Sequence, residues 1–230
     1  MKEYNSREIL ISQHIPKCAG TSFIKVLNSW FGPGFYKHYF NHAKAITPRR
    51  PFSLNVIKHF MPVCVHGHFD KEKDGVGIFD IYPETKQIIT VVRDPLEMQL
   101  SLYFYMKKLI ERGEMYWQGQ QVKEMKYGGD IDTWLEQRPS YMLRFFPFEL
   151  TLENYKSVLN KNYVHIGIAE NMQKTVDVLA QKLNRNSITV TEENKTTREY
   201  RPSDVSIKLF KEKHQLEYLV YNFSVNLNNA

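Results

Sequence analysis

Residues 14–22 read HIPKCAGTS and set a lysine, a glycine and two hydroxyls within six positions, Lys17 to Ser22. Such a set suits an anion. At a turn that opens a helix the first backbone N–H groups lack partners and the helix dipole presents its positive end, which favours phosphate or sulfate. Gly20 lets the backbone approach a ligand, Thr21 and Ser22 add hydroxyl donors, and Lys17 brings a compact charge with three donors. The plain alternative is a strand-to-helix turn with a solvated lysine. A second candidate closes QIITVVRDP, where Arg93 stands at the strand end. An arginine there repels a metal ion and attracts another anionic group; its alternative is a salt bridge with a nearby carboxylate. In VCVHGHFD, His66 and His68 lie two apart, on the same side of a strand that stays regular. Histidine titrates near neutrality, as a general base should. The alternative for this pair is satisfaction in the core or at a surface turn. His14 is expected to pack or bond within its strand end.

Strands and helices must alternate to hold these residues. EILISQHI reads as a strand, and from Thr21 the apolar Phe23, Leu27 and Trp30 recur on one helical face. PVCVHGHF and KQIITVVR read as buried strands, the second followed by a helix that Asp94 caps, Pro95 starts and Gly113 ends. NYVHIGIA precedes a further helix, with Met172, Val176, Leu179 and Leu183 on one stripe. Buried strands joined by helices predict an α/β fold with a central parallel sheet flanked by helices. Residues 118–130 read as a mobile surface insert, and TVTEENKTTREYRPSD as a long loop before one carboxy-terminal helix.

At 230 residues, 42% apolar and 13% aromatic, the chain can bury one sizeable core, and a single domain over 1–230 is expected. Lysine and arginine number 31 against 25 acids, a net +6 that favours anionic ligands without choosing among nucleic acid, nucleotide and acidic sugar. Cys18 and Cys64 lack partners at metal-ligand spacing and suit a reducing compartment, as small buried residues. No long apolar run or signal peptide is read. The loop is not the G-x-x-x-x-G-K-[ST] of nucleotide triphosphatases, because Lys17 precedes its only glycine, and no strand ends in an aspartate suited to magnesium. No metal is expected.

HIPKCAGTS resembles the 5′-phosphosulfate-binding loop of sulfotransferases that use 3′-phosphoadenosine-5′-phosphosulfate (PAPS), in the form of the carbohydrate sulfotransferases related to heparan sulfate 2-O-sulfotransferase. VVRDPLEMQLSLYFY resembles their 3′-phosphate element, an arginine at a strand end and a serine eight residues later, here Arg93 and Ser101. HIGIAENMQKTVDVLAQKL is similar to a later strand and helix of the family, and ENKTTREY to its cofactor-covering loop. The resemblance implies a P-loop-like sulfotransferase fold. It implies that PAPS is held by Lys17, Cys18, Ala19, Gly20, Thr21, Ser22, Arg93, Ser101, Lys195 and Thr196, with 3′,5′-adenosine bisphosphate (PAP) as product. The family's H-G-H pair implies His68 as base, with His66 orienting or binding, and Lys17 stabilising the departing oxygen. The alternative for Ser101 is a helix serine bonded to its own backbone.

The implied reaction moves a sulfuryl group to a hydroxyl, of a carbohydrate in the resembling family. Two other classes stay open: a P-loop-like small-molecule kinase, and a binding module for nucleotide or nucleic acid that catalyses nothing. The family's eukaryotic members are typically anchored in a secretory membrane; with no anchor read here, a cytoplasmic protein is expected, or a trimmed luminal domain. Acceptor contacts are expected from loops 41–60 and 115–130, which leave the acceptor unspecified. SLYFYM and MLRFFPF read as packing, and Arg49 with Arg50 as a solvated loop or a contact for an acidic acceptor.

Overall fold

The four apolar runs pair in parallel at the centre of the molecule, and a fifth strand joins their edge. The computed structural model describes residues 1–117, 119–127, 129–191 and 200–229. The first four strands along the chain are β1 (Leu10–Gln13), β2 (Phe35–His38), β3 (Cys64–Gly67) and β4 (Gln87–Val92). A short hairpin of β5 (Tyr116–Trp117) and β6 (Gln120–Gln121) precedes the last, β7 (Tyr163–Ile168). The sheet order is β2-β3-β1-β4-β7, all parallel. Every residue of β1, β3, β4 and β7 is buried, which is why their sequences run apolar without alternation. The expected α/β class is therefore what the chain adopts.

This order fixes where chemistry can sit. The chain begins in the middle of the sheet, travels to one side through β2 and β3, then crosses to the other side through β4. The connections diverge at β1, so a crevice opens at the carboxyl ends of β1, β3 and β4, the usual ligand position in open parallel sheets. HIPKCAGTS, HGHF and VVRDP all leave the sheet there.

Strand β2 escapes the sequence reading because it is an edge strand in which His38 alone is buried. It lies close against β3. A Cβ on Gly67 would fall 1.8 Å from the carbonyl oxygen of His38, so the residue between the two histidines of H-G-H has to be glycine for β2 to pair.

The helices are α1 (Gly20–Phe31), three single turns α2 (Leu54–Ile57), α3 (Lys71–Asp74) and α4 (Ile78–Ile81), then α5 (Pro95–Glu111), α6 (Ile131–Gln137) and α7 (Tyr155–Asn162). They are followed by α8 (Met172–Leu183), α9 (Asp204–Lys213) and α10 (Gln215–Asn229). Helix α1 buries Phe23, Val26, Leu27 and Trp30, and α8 buries Met172, Val176, Leu179 and Leu183, the stripes their spacing predicts. The carboxylate of Asp94 accepts from the Glu97 amide and caps α5.

Within 118–130, expected as a surface insert, Gln120–Gln121 pairs with Tyr116–Trp117, and both short strands are exposed. One expectation is corrected. The carboxy-terminal segment is two helices, broken at His214, whose ψ of 33° departs from helical values. Helix α10 holds β7 by polar contacts: Asn228 donates to Ile166 O at 2.9 Å and bonds His165 Nε2 at 3.1 Å. Its Glu217 is fully buried, and one carboxylate oxygen accepts from Ser140 Oγ and the amides of Tyr141 and Met142. Among the described residues no helix is long and apolar enough to cross a membrane.

Candidate active site

The turn after β1 carries backbone strain. Lys17 and Ala19 both adopt positive φ, 67° and 56°, which costs a non-glycine residue about 1 kcal/mol or more. Ala19 occupies the N-cap of α1, no side chain caps that end, and the amide of Phe23 is the one that reaches back to Ala19 O. Geometry leaves the amides of Gly20, Thr21 and Ser22 pointing forward without helical acceptors. Strain held at an uncapped helix start is the arrangement from which anion binding is inferred.

The side chains of the turn divide their work. Cys18 is buried and its thiol is pushed up by burial, so it packs, as expected of it. Thr21 is exposed, while Ser22 Oγ donates to Thr191 O at 3.2 Å and so ties the turn to a distant segment. The Lys17 ammonium lies 4.0 Å from the ring centre of Tyr105, one turn beyond Ser101 on α5. Burial, and then the nearby Arg93, push its pKa below the usual lysine value.

Arg93 reaches the same turn. Its Nη1 donates to Lys17 O at 3.1 Å, and its guanidinium stands 3.8 Å from Glu97 and 4.0 Å from Glu170. The ion pairs foreseen as the alternative for Arg93 are thus present, though longer than hydrogen bonds. Ser101 is buried on α5. Lys195 and Thr196 lie outside the described residues; the described neighbours on either side, Thr191 and Tyr200, meet Ser22 and, with a hydroxyl contact of 2.7 Å, Tyr103.

Three histidines stack beside the turn. His14 lies between the other two, its ring centre 5.1 Å from His66 and 4.4 Å from His68, both nearly parallel. Its Nδ1 bonds Tyr39 Oη at 3.0 Å. His66 is fully buried, with Nδ1 2.8 Å from Ser12 Oγ, and burial lowers its pKa to about 3. Burial and the two neighbouring rings hold His14 well below the usual value as well. His68 sits just past the end of β3, half-buried, and its Nδ1 lies 2.8 Å from His14 O. A carbonyl can only accept, so Nδ1 carries the hydrogen and Nε2 of neutral His68 carries the lone pair. That is the tautomer a base at Nε2 requires.

Gly20 belongs to this stack. A Cβ there would lie 1.9 Å from His14 Nε2, so the close approach that the glycine allows is made by the His14 ring. Gly20→Ala is expected to displace His14 and lower stability by about 1–3 kcal/mol, measured by urea unfolding. An unchanged midpoint would mean that the ring moves aside without cost.

The two loops expected to meet an acceptor touch each other. Gly119 N donates to His42 O at 2.8 Å and Trp117 stacks on His42 at 5.8 Å. Thr47 and Pro48, from the first of these loops, line a small cleft with His38 and His68. Arg50 is engaged by Glu84 and Asn55, so one of the two basic residues set aside as a solvated loop holds the loop in place. Among the described residues no group of three or more His, Cys, Asp or Glu side chains is arranged to hold a metal ion.

Sequence reasoning gave His14 no site role, passed over Tyr39, and read Tyr105, within SLYFYM, as packing, whereas its ring is exposed and meets Lys17. The signal for His14 lies in the register: Ser12 pairs with His66, and His14 N donates to Gly67 O, so residues 12, 14, 66 and 68 come to one face once β1 and β3 are known to be neighbours.

No family model matches this sequence. No curated protein matches it. Among solved structures, a sulfotransferase from Alicyclobacillus acidocaldarius overlays 94% of this chain and 97% of its own at 15% identity, with a TM-score of 0.45. Mouse sulfotransferase SULT7A1, solved with PAP, overlays 80% of this chain at 13% identity with a TM-score of 0.39, and this chain spans 62% of its length.

Proposed function

We propose that the chain, as one domain over 1–230, is a sulfotransferase that moves a sulfuryl group from PAPS to a hydroxyl, that of a carbohydrate. The observation that carries this reading is the convergence, at one edge of the sheet, of an uncapped helix start, Lys17 joined to Arg93, and the Nε2 lone pair of His68. The donor set fits two anionic groups. The amides of residues 19–22 and Lys17 would hold the phosphosulfate, the Cys18 amide being spent on Ile15 O, and Arg93 with Ser101 the 3′-phosphate, for which a planar guanidinium fork is well shaped. Arg93 would exchange its long contacts with Glu97 and Glu170 for that phosphate.

PAPS supplies an activated sulfur whose bond to the bridging phosphate oxygen breaks as the acceptor oxygen bonds to it, the electron pair leaving with PAP. His68 Nε2 takes the acceptor proton. Lys17 places positive charge where negative charge develops, help that needs no reorganisation during the reaction. His14 fixes the His68 ring by stacking and by its carbonyl, and His66, out of reach of solvent, supports His14.

The test is ligand stabilisation in a chelated, metal-free buffer. PAP at 100 times its dissociation constant should add about 2.7 kcal/mol, which raises Tm by about 5–10 °C in a domain of this length. ATP with magnesium should do far less. Stronger stabilisation by ATP with magnesium would favour a kinase and sink this reading. Arg93→Ala should weaken PAP binding by about 1.5–3 kcal/mol while leaving adenosine 5′-monophosphate nearly unaffected, since the first ligand alone carries a 3′-phosphate. Equal losses by calorimetry would make Arg93 a structural residue.

A further inference from the structure

The excess of positive charge has an address. Residues 9–69 contain seven lysines and arginines and no aspartate or glutamate, so the remainder of the chain, with 24 basic residues against 25 acidic, is close to neutral. Within that stretch, hydrogen bonds spanning three or four residues run continuously from Pro51 to Met61, extending the single turn of α2 in both directions. Helical turns place i, i+4 and i+8 on one face. Phe52, Val56 and Phe60 have that spacing and are 99%, 58% and 81% exposed, whereas Leu54 is buried and Ile57 packs on the core. The segment therefore has an inner apolar face that holds it to the protein and an outer apolar ridge facing water. Arg49, exposed, precedes the ridge, whereas Lys58 is half-buried on the inner side near Glu84, a carboxylate that Arg50 also engages.

We propose that residues 49–60 dock the protein onto an anionic lipid bilayer, with Phe52, Val56 and Phe60 entering the interface and Arg49, within the acid-free basic stretch 9–69, meeting the headgroups. Exposed apolar groups arranged in a ridge mark an interaction site rather than scattered surface residues. The shape favours lipid over a protein partner. Phe52 stands almost wholly clear of its own chain, and a fluid interface receives such a side chain without a matching pocket. Basic residues beside an apolar helical face are the chemistry that binds anionic bilayers. Thr47 and Pro48, a few residues before the ridge, line the cleft at His68, so docking turns that cleft toward the bilayer. The inference does not depend on the transfer reaction proposed above.

The test is co-sedimentation with vesicles of phosphatidylcholine containing a quarter phosphatidylserine, and with phosphatidylcholine alone. Wild-type protein should pellet with the anionic vesicles, less with the neutral ones, and less as salt is raised. Phe52→Ser with Phe60→Ser should lower the partition about tenfold or more, with far-UV circular dichroism unchanged because neither ring is buried. Arg49→Ser should also weaken it. Failure of wild type to pellet, a Phe variant that pellets like wild type, or equal binding to neutral vesicles would each overturn the proposal. Retention on dextran sulfate that the Phe variant keeps, without vesicle binding, would assign the basic surface to an acidic polymer instead. A wild-type dimer that the Phe variant loses in gel filtration, again without vesicle binding, would assign the ridge to a second copy of the chain.

Discussion

His68→Ala is expected to lower sulfuryl transfer by about 100-fold or more while leaving PAP affinity nearly unchanged, because a positioned base contributes about that much and neither proposed anion site includes this side chain. The alanine variant also loses the hydrogen bond to His14 O, which could disturb the stack. His68→Asn separates the two effects. Its amide can donate to His14 O as Nδ1 does, yet it offers no basic nitrogen. The asparagine variant should fold and bind PAP like wild type and still be inactive; activity near wild type would remove His68 from proton transfer. Lys17→Ala should behave differently and damage both turnover and donor binding, since one ammonium meets the bound anion and the leaving oxygen. Radiolabelled transfer to a panel of hydroxyl acceptors reads turnover, and calorimetry with PAP reads affinity.

Acidification is expected to unfold the protein well above the pH at which most carboxylates titrate. Five histidines are held neutral by burial: His66 at about 3, His38, His165 and His214 at about 4, and His14 well below its usual value. Their pKa in the unfolded chain is about 6.5. A depressed folded value means that stability is fully present above about pH 6.5 and is lost as the pH falls toward 4, because the unfolded chain binds protons that the folded chain refuses. At pH 5 each such ring costs about 2 kcal/mol, and five together approach the entire stability of a typical domain, about 5–15 kcal/mol. Glu217 works in the opposite direction, its pKa raised by burial, but it is one group against five. Urea midpoints from pH 7 to pH 4.5 should therefore fall steeply below about 6.5. A flat profile down to pH 5 would show that these rings find solvent or partners when charged.

The sheet was legible because four of its strands are fully buried and so read as mainly apolar runs without strict alternation, as in ILIS and QIITVV. Strand β2 was not, since FYKH alternates with an exposed lysine and pairs on one side alone. The break between α9 and α10 at His214 carries no glycine or proline to announce it. In the site, the residue types of PKCAGTS and HGHF suggested their chemistry locally, and the order of β1 and β3 brings them together. What could not be read is the use to which each side chain is put: Ser22 bonds a carbonyl 169 residues away, and Arg93 bonds one 76 residues away. Such contacts depend on tertiary neighbours that no local pattern encodes. Gly20 shows the same limit, because its lack of a side chain makes room for His14 and this follows only from the ring's position.

The stack of three histidines has room for a single proton. His14 and His66 are kept neutral by burial, and a charge on His68, 4.4 Å from the His14 ring, opposes a second one there by about 4 kcal/mol even at an effective dielectric constant of 20. The row of rings is thus a dead end for protons and not a wire. In the proposed transfer, a proton taken up by His68 would therefore have to leave by the side on which it arrived, to water or to the departing product, before a next turnover.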